Sequence, residues 1–546
     1  MDTSIFLEAP HATLFLSALG VCALAWVILR LTRRAPQLPK DIPYVKFEDG
    51  DDSYQRYFRD TRGVLSLGYN RYSKKGQSFS MYNAANSDLP LLVLPTSYLD
   101  EVKTAHKDKL SLQKALDQRG GLDKLGGFLL SDEVIKVVKV AIARAVNQLI
   151  PELHVKCSAA YTEFMPPCAD WTPAVGFQLM LRVWTRMISH VMVGPELSQS
   201  DEWMKEMESF VPIMVKGLFT LRKDYRKSTY WMAKYLCDDV KEIYRLRGRL
   251  AKLIKPLLDE RLAIAAARTE KRTGKGMDLH ADAIMWFVDE YGSKGVKPSA
   301  DLIAREMIML SLASVLGTAS TTLMIVFDLM DRPESMKEVK EEMARVREEC
   351  GEKVTRQALG KLVIFDSFIK ESQRVKPINQ RKSNATCDDV IGLSRDGILK
   401  VDVVSMHRLA AQDYTFKDGL HVSAGTDIAF ASELIGIDPD IWGADATQFD
   451  PHRFLRMREA GDLARSQATS ISDDMMPFGN GNHSCPGRFL AVDAIKIIIM
   501  NLLYHYDFKY PEGISKRPAN EDGHHTIFPS TTTALLFKEK KIHSFS

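Results

Sequence analysis

The hydrophobic pattern predicts a long helical region followed by a shorter region of extended segments. Apolar residues recur every three to four positions through most of residues 100–375, for example over Ser131 to Leu149 and Asp239 to Glu270, which is typical of amphipathic helices. Further along the chain, Tyr414 to Gly419 and Ser423 to Thr426 combine extended residues with turn residues and predict hairpins. The sequence therefore predicts a mainly α fold with a small β region.

One predicted helix has no polar face. It covers Ser299 to Met330, follows a Pro298-Ser299 start signal and ends before Arg332-Pro333, and its centre is apolar on nearly every side. A helix of this kind is expected to run through the centre of the protein. Another apolar helix is predicted over Arg488 to His505.

The first apolar stretch of the chain predicts a membrane anchor. Residues 12–29 carry no charge, and this length is close to the roughly 20 residues that cross a bilayer as a helix. A cleaved signal peptide is the alternative, but Asp2 and Glu8 precede the stretch and no clean cleavage site follows it. The basic residues that mark a cytoplasmic flank come directly afterwards; they are Arg30, Arg33 and Arg34.

Prolines separate the anchor from the rest of the chain. Pro36, Pro39 and Pro43 lie close together, and such a segment cannot continue a helix but forms a stiff connector. The predicted organisation is an anchor over residues 1–35, a proline-rich hinge over 36–45 and a globular catalytic domain over 46–546.

Composition excludes several classes of protein. Hydrophobic residues make up 45% and charged residues 26% of the chain, which is unlike a disordered, collagen-like or polytopic membrane protein. The net charge is +3, and no basic run alternates with aromatic residues, so nucleic acid is not an expected partner. The seven cysteines are scattered without CxxC spacing, which favours a reducing compartment.

One cysteine lies in a segment suited to binding a metal as a thiolate. Cys485 follows two loop glycines and precedes Gly487 and the predicted helix at Arg488. The dipole and free N–H groups of a helix N-terminus favour the thiolate, and glycines allow a flat cofactor to approach the backbone. An isolated cysteine in a turn is more often structural, so the spacing alone leaves both interpretations open.

The surrounding segment resembles the haem-binding signature of the cytochrome P450 family, F-x-x-G-x-x-x-C-x-G. Its fixed positions are Phe478, Gly481, Cys485 and Gly487. The resemblance implies that Cys485 is the axial ligand of a haem b iron, that Phe478 packs near the sulfur, and that His483 meets a haem propionate.

Three further signatures of that family follow in the expected order. Glu371 and Arg374 resemble its E-x-x-R motif, in which an acid and a base lie on one helix face, and Arg453 would complete a buried charge network with them. His452 replaces the acid of the family's P-E-R-F segment. Arg408 resembles the strand arginine that binds a haem propionate; a solvated surface arginine is the alternative.

The central helix departs from the family. Its proton-delivery positions are expected to hold an acid and a threonine, but Leu316 and Gly317 stand there. Leu316 cannot relay a proton, so Thr318 or Ser314 is expected to hold a water that does. Thr318 could equally be a helix residue that bonds only its own backbone.

The resemblance implies an NADPH-driven monooxygenase. It predicts the cytochrome P450 fold behind one transmembrane helix, electrons from an NADPH-cytochrome P450 reductase, and a lipophilic substrate such as a fungal terpenoid. The implied location is the endoplasmic reticulum membrane, with the catalytic domain in the cytosol. Two alternatives remain: an isomerase, dehydratase or unusual oxidase without the normal proton relay, and a non-catalytic haem-binding or degenerate protein.

An extra polar segment interrupts the resemblance. In the family the E-x-x-R helix leads quickly to the strand with the propionate arginine, whereas Gln380 to Asp402 intervene here. The segment is interpreted either as a surface loop, which costs little closure entropy, or as a retained intron, and the sequence of the transcript distinguishes the two.

Overall fold

The computed structural model describes most of the predicted catalytic domain. The described residues are 17, 20, 21 and 38–540 without 52, 84–88, 122–129, 226–228, 271–281, 376–400, 403, 519–520 and 524–525. Nearly all of the predicted anchor and most of the extra segment therefore lie outside the described residues.

Helices make up most of the described chain. In chain order they are α1 Tyr54–Arg71, α2 Leu99–Thr104, α3 Leu112–Gly120, α4 Asp132–Lys136, α5 Ala143–Phe164, α6 Gly176–Leu197, α7 Asp201–Asp224, α8 Tyr230–Leu236, α9 Asp238–Glu270, α10 Ala283–Gly292, α11 Ala300–Met330, α12 Pro333–Cys350, α13 Arg356–Lys361, α14 Val363–Val375, α15 Ser432–Gly436, α16 Pro439–Trp442, α17 Arg453–Glu459, α18 Leu463–Ser466 and α19 Arg488–His505. A π-helical turn, Val137–Ile142, joins α4 to α5.

The strands are short and form small sheets beside the helices. They are β1 Phe79–Met81, β2 Leu91–Val93, β3 Leu110–Ser111, β4 Thr172–Val175, β5 Val401–Asp402, β6 Ser405–Ala410, β7 Tyr414–Thr415, β8 His421–Val422, β9 Asp427–Phe430, β10 Tyr506–Lys509, β11 Glu521–Gly523, β12 Thr526–Phe528 and β13 Ala534–Glu539. The largest sheet has the order β1-β2-β9-β6-β3, in which only β2 and β9 pair in parallel. The prediction of a mainly α fold with a small β region is confirmed.

The apolar central helix was predicted correctly. The hydroxyl of Ser299 accepts a hydrogen bond from the N–H of Leu302 and caps α11, so the predicted start signal functions as one. The helix packs against α6, α9 and α19 in the main hydrophobic core. In the described part of the chain it alone is long and apolar enough to cross a membrane, but 78% of its apolar window is buried inside the protein. Its apolar character is that of a core helix.

The predicted hinge is partly joined to the sheet. Ser80 of β1 donates from its N–H to the carbonyl oxygen of Pro43 at 2.9 Å, and Val45 donates to the carbonyl oxygen of Ser80 at 2.8 Å. Val45 and Phe47 are buried in the core that surrounds the largest sheet. Leu38 and Ile42 pack against the same core, so the described part of the hinge already contacts the fold.

Two strand pairings bear on the sequence predictions. The hairpin predicted at Tyr414 is present as β7 and β8. The end of the extra segment, Val401–Asp402, is strand β5, which pairs with Thr526 and Ile527 of β12. At least the last two residues of the segment therefore belong to the fold.

Candidate active site

The predicted thiolate loop lies directly before α19. The N–H of Cys485 donates to the carbonyl oxygen of Phe478 at 2.7 Å and closes the loop. Gly479 and Gly481 have φ angles of 67° and 69°, in the left-handed region that glycine adopts without steric cost. The loop places Cys485 at the beginning of a helix, as the sequence predicted.

Gly481 is also required by a close contact with α2. A Cβ atom on Gly481 would collide with the Cβ atom and the carbonyl oxygen of Lys103. Because a backbone carbonyl cannot be moved as easily as the end of a side chain, a larger residue would push the loop away from α2. The loop is held there by Asn480, whose Nδ2 donates to Asp473 at 2.7 Å, while Asp473 also pairs with Lys103 at 3.3 Å.

The surroundings of the Cys485 thiol act on its pKa in opposite directions. Burial raises the pKa and is the largest effect, whereas the N–H groups of Gly487 and Arg488 and the Arg488 guanidinium lower it. Arg488 Nη1 additionally donates to the carbonyl oxygen of Cys485 at 2.9 Å. The thiol thus favours its neutral form until a cation binds, and metal coordination deprotonates such a thiol.

Arg408 is a buried cation without a carboxylate partner in the described part of the chain. It is 1% exposed, and burial lowers the pKa of its guanidinium to about 10. Its Nη1 donates to the carbonyl oxygen of His407 at 2.8 Å, and its Nε has no hydrogen-bond partner among the described residues. A buried guanidinium in this state is stabilised by a bound anion, which argues against a solvated surface arginine.

A bulge in β6 lies directly before Arg408 and sets the orientation of this residue toward the candidate active site. Ser405 pairs with Phe430 and Arg408 with Ile428, so two residues of β6 lie where β9 has one. Met406, within this bulge, has a φ of 58°, which is unusual for a residue other than glycine. The sulfur of Met406 accepts the N–H of Asn480 at 2.9 Å and joins the bulge to the thiolate loop.

His483 lies in a positively charged part of the site. Its pKa is lowered to about 4, first by burial and then by the charges of Arg408, Lys107 and Lys139. Lys107 pairs with Asp132 at 2.7 Å, whereas Lys139 makes no ion pair in the described part of the chain. Lys139 belongs to the π-helical turn, whose Val138 lies against Gly487. The sequence analysis did not identify either lysine.

The predicted charge network is present and buried. The Glu371 carboxylate accepts from Arg374 Nη2 at 2.6 Å and from Nε at 2.7 Å, and Arg453 Nε lies 3.3 Å from it. The side chains of Glu371 and Arg374 are fully buried. Arg374 also donates to three backbone carbonyl oxygens, those of Gly436, Ala446 and Gln448. The network therefore joins α14 to the chain segment that leads toward the thiolate loop.

His452, which replaces the family's acid, has its own partner. Its Nε2 lies 2.7 Å from Glu338 of α12. Arg453 meanwhile pairs with Asp445 at 2.8 Å, so an acid still lies on each side of this arginine. The substitution at His452 leaves the network intact.

The buried middle of α11 is interrupted by one open patch, which consists of Ala313, Ser314, Gly317 and Thr321. Ala313 is exposed, and the other three are partly exposed although the residues around them on the helix are buried. A Cβ atom on Gly317 would meet no atom within 4 Å. Because residues i, i+4 and i+8 share a helix face, the four residues form one continuous patch on that face.

The two predicted proton-relay residues are placed differently. Ser314 lies on the open patch, and its Oγ has no hydrogen-bond partner among the described residues. Thr318 is 7% exposed and lies farther around the helix. Its carbonyl oxygen accepts the hydroxyl of Thr322 at 2.8 Å. Leu316, at the family's acid position, is buried.

These residues fit a haem with one cysteine ligand. A buried thiol at a helix N-terminus suits an iron ligand, and the unpaired guanidinium of Arg408 suits a propionate. Cys485 would bind the iron, and Arg408 and His483 would meet propionates, with Phe478 packed between the loop and the main core. The open patch on α11 provides free space of the kind that a substrate needs.

Comparison with known proteins gives one consistent family. The family described as "Cytochrome P450" matches residues 152–392 and 400–537. The cytochrome P450 monooxygenase cheE of Chaetomium globosum is 32% identical over 523 residues, covering 94% of this chain and 95% of that protein. The cytochrome P450 monooxygenase ccsG of Aspergillus clavatus is 30% identical over 533 residues, covering 97% and 99%.

A third relative has a name that states its reaction. Pyrichalasin C-7 hydroxylase of Pyricularia grisea is 30% identical over 479 residues, covering 87% of this chain and 88% of that protein. The fold is similar to the crystal structure of the cytochrome P450DA heme domain, with a TM-score of 0.61, 14% identity and coverage of 92% and 98%. Within the extra segment 380–402, only residues 393–399 fall outside the family match.

Proposed function

The chain belongs to the cytochrome P450 family, and we propose that it is a membrane-anchored monooxygenase that oxidises a lipophilic fungal secondary metabolite. The observation that carries the proposal is the loop of Cys485, in which a buried thiol lies at a helix N-terminus and His483 lies near Arg408, a buried cation without a carboxylate partner among the described residues. Electrons would come from NADPH through a flavoprotein reductase. Haem with a thiolate ligand supplies the activation of dioxygen.

The residues of the chain have separate roles in this proposal. Cys485 holds the cofactor and donates electron density, while Arg408 and His483 orient it through its propionates. The open patch on α11 binds the substrate. Ser314 and Thr318 hold the water through which protons reach the site, because Leu316 has no group that can carry them.

The substrate is proposed only as a class. A terpenoid is the expectation from the sequence, and one related enzyme is named a pyrichalasin C-7 hydroxylase. Comparing the metabolites of a deletion strain with those of its parent would identify the compound. Reductase-dependent NADPH consumption with that compound is the expected result for a monooxygenase.

One observation favours a second candidate. Leu316 and Gly317 replace the acid and the threonine of the proton relay, so an isomerisation, dehydration or unusual oxidation is the runner-up. An enzyme of the isomerase or dehydratase type would convert the compound without consuming NADPH. That result would contradict the monooxygenase proposal while leaving the haem site unaffected.

Changing the α11 hydroxyls is expected to uncouple NADPH consumption from product formation. Ser314→Ala and Thr318→Ala each remove a hydroxyl that would hold the relay water, and we expect the product per NADPH to fall by about tenfold with release of peroxide. The measurement is product, peroxide and NADPH with the compound from the metabolite comparison. An unchanged yield in a variant would exclude that residue from the relay.

Gly317→Thr makes the opposite change, because it adds a hydroxyl at the position where the family has a threonine. The added side chain would occupy the space that is open beside Gly317, so weaker substrate binding is expected. If this variant instead raised the product per NADPH without weakening binding, the missing hydroxyl would be a deficit and not a specialisation.

Removing residues 1–35 is expected to release much of the protein from membranes. The deletion removes the apolar stretch at 12–29 and its basic flank. A second contact is available on α8, where Trp231, Tyr235 and Leu236 are exposed large apolar side chains, so partial binding should persist. Replacing these three residues by serine in the shortened chain should complete the release. The measurement is the soluble fraction after alkaline carbonate washing.

The proposed orientation has its own test. In a cytosolic catalytic domain the Asn384-Ala385-Thr386 sequon remains unmodified, because the glycosylation machinery lies on the other side of the membrane. A mobility shift on glycosidase treatment would contradict the endoplasmic reticulum orientation.

Unchanged membrane binding of the shortened chain would contradict the anchor.

A further inference from the structure

The open patch on α11 contains one partly exposed threonine, Thr321. From Ile303 to Leu329 every residue is buried except Arg305 and the four patch residues. Among the patch residues, Ala313 and Gly317 have no polar side-chain atom, and the Ser314 Oγ is enclosed. Thr321 remains as the partly exposed hydroxyl-bearing residue at the C-terminal end of the patch.

The other α11 hydroxyls beside it are shielded. Thr322 is 0% exposed, and Thr318 and Ser320 are buried as well. Thr321 and Thr322 make the same internal hydrogen bond, each donating its Oγ1 at 2.8 Å to the carbonyl oxygen four residues earlier. The two neighbours therefore differ mainly in whether the residue is partly exposed or buried.

The hydrogen bond of Thr321 leaves its oxygen able to accept. A hydroxyl has one donor and two lone pairs, and the donor of Thr321 is used by the carbonyl oxygen of Gly317. A ligand that approaches the bare backbone at Gly317 lies one helical turn from Thr321, a spacing at which side-chain groups on a helix meet. The group that satisfies the remaining lone pairs is a hydrogen-bond donor.

We propose that Thr321 positions the substrate by accepting a hydrogen bond from a hydroxyl or N–H group, while the apolar body of the substrate lies against Ala313 and Gly317. The inference rests on the proposed function, since it assumes that the open patch borders the haem site. It restricts the proposed class of substrates to lipophilic molecules that carry a hydrogen-bond donor.

The test uses Thr321→Val, which keeps the shape of the side chain and removes the oxygen. The probes are phenylimidazole and its three analogues with a single hydroxyl on the phenyl ring, titrated against the ferric holoenzyme by the shift of its Soret band. At least one hydroxylated probe is expected to bind the wild type more tightly than phenylimidazole does. Thr321→Val should weaken that probe by about fivefold and leave phenylimidazole unchanged.

Matched variants separate positioning from structure. Thr322→Val removes the same internal hydrogen bond from a buried neighbour and should leave the preference unchanged, and Thr321→Ser, which retains the oxygen, should preserve it. The inference is overturned if Thr321→Val weakens all four probes equally, or if the wild type prefers no hydroxylated probe. A wild type without a thiolate-type carbon monoxide spectrum would instead overturn the proposed function, and this inference with it.

Discussion

Replacing Cys485 by alanine is expected to abolish the thiolate-type spectrum of the ferrous carbon monoxide complex and all NADPH-driven turnover. Cys485 lies in the haem-binding signature directly before α19, and the N–H groups of Gly487 and Arg488 stabilise its thiolate. Alanine removes the ligand without adding bulk. The measurement is the carbon monoxide difference spectrum, with haem content determined separately after denaturation.

Cys350→Ala is the matched control. Cys350 ends α12, is partly exposed and is free, so its loss should leave the spectrum and the haem content unchanged. Cys157→Ala is less suitable, because Cys157 is fully buried in the main core and its replacement would also leave a cavity. A thiolate-type Soret band retained in Cys485→Ala would refute the assignment of this ligand.

Features set by neighbouring residues could be predicted from the sequence. The start of α11 depends on Ser299 and the N–H of Leu302, three residues away, and α19 begins and ends at the predicted residues, Arg488 and His505. The thiolate loop is similarly local, since Cys485 bonds to Phe478 within one signature. Such features follow from caps, glycines and periodicity.

Features set by distant pairing could not be predicted. The orientation of Arg408 depends on the bulge in β6 opposite β9 and on the left-handed backbone conformation of Met406. No local sequence pattern marks either feature. The charge near His483 includes Lys139, which the π-helical turn places at the site. The amphipathic period over Ser131 to Leu149 predicts a helix correctly but does not distinguish an α-helical turn from a π-helical one.

The arrangement of the α11 side chains shows the same limit. The sequence identifies Leu316 and Gly317 as departures from the family, because alignment backward from Asp328 and Leu329 at the end of the helix assigns their positions. It does not show that Thr318 is buried while Thr321 borders the open space, because an apolar helix gives no amphipathic period from which to assign its faces. Packing against α6, α9 and α19 decides which face remains open.

Glu371→Gln is expected to lower the stability of the holoprotein by several kcal/mol, although the substitution changes almost no volume. The Glu371 carboxylate is buried with Arg374 and Arg453 and also accepts the N–H of Asp450 at 2.9 Å. A neutral amide would remove the negative charge that compensates these guanidinium groups, which are buried away from water. Breaking a buried pair in this way costs about 3 to 5 kcal/mol, a large part of the roughly 5 to 15 kcal/mol that stabilises a typical folded domain.

The measurement is the free energy of unfolding in urea, followed by the Soret band, for the wild type and the variant. Asp259→Asn makes the same change from acid to amide in the exposed pair that Asp259 forms with Lys255 at 2.7 Å on α9, and an exposed pair of this kind contributes about 0 to 1 kcal/mol. The two variants should therefore differ by several kcal/mol. Equal losses in both would mean that the Glu371 network contributes no more than a surface ion pair. In that case the junction of α14 with the segment before the thiolate loop would depend on apolar packing alone, for example of Phe368 against Phe449.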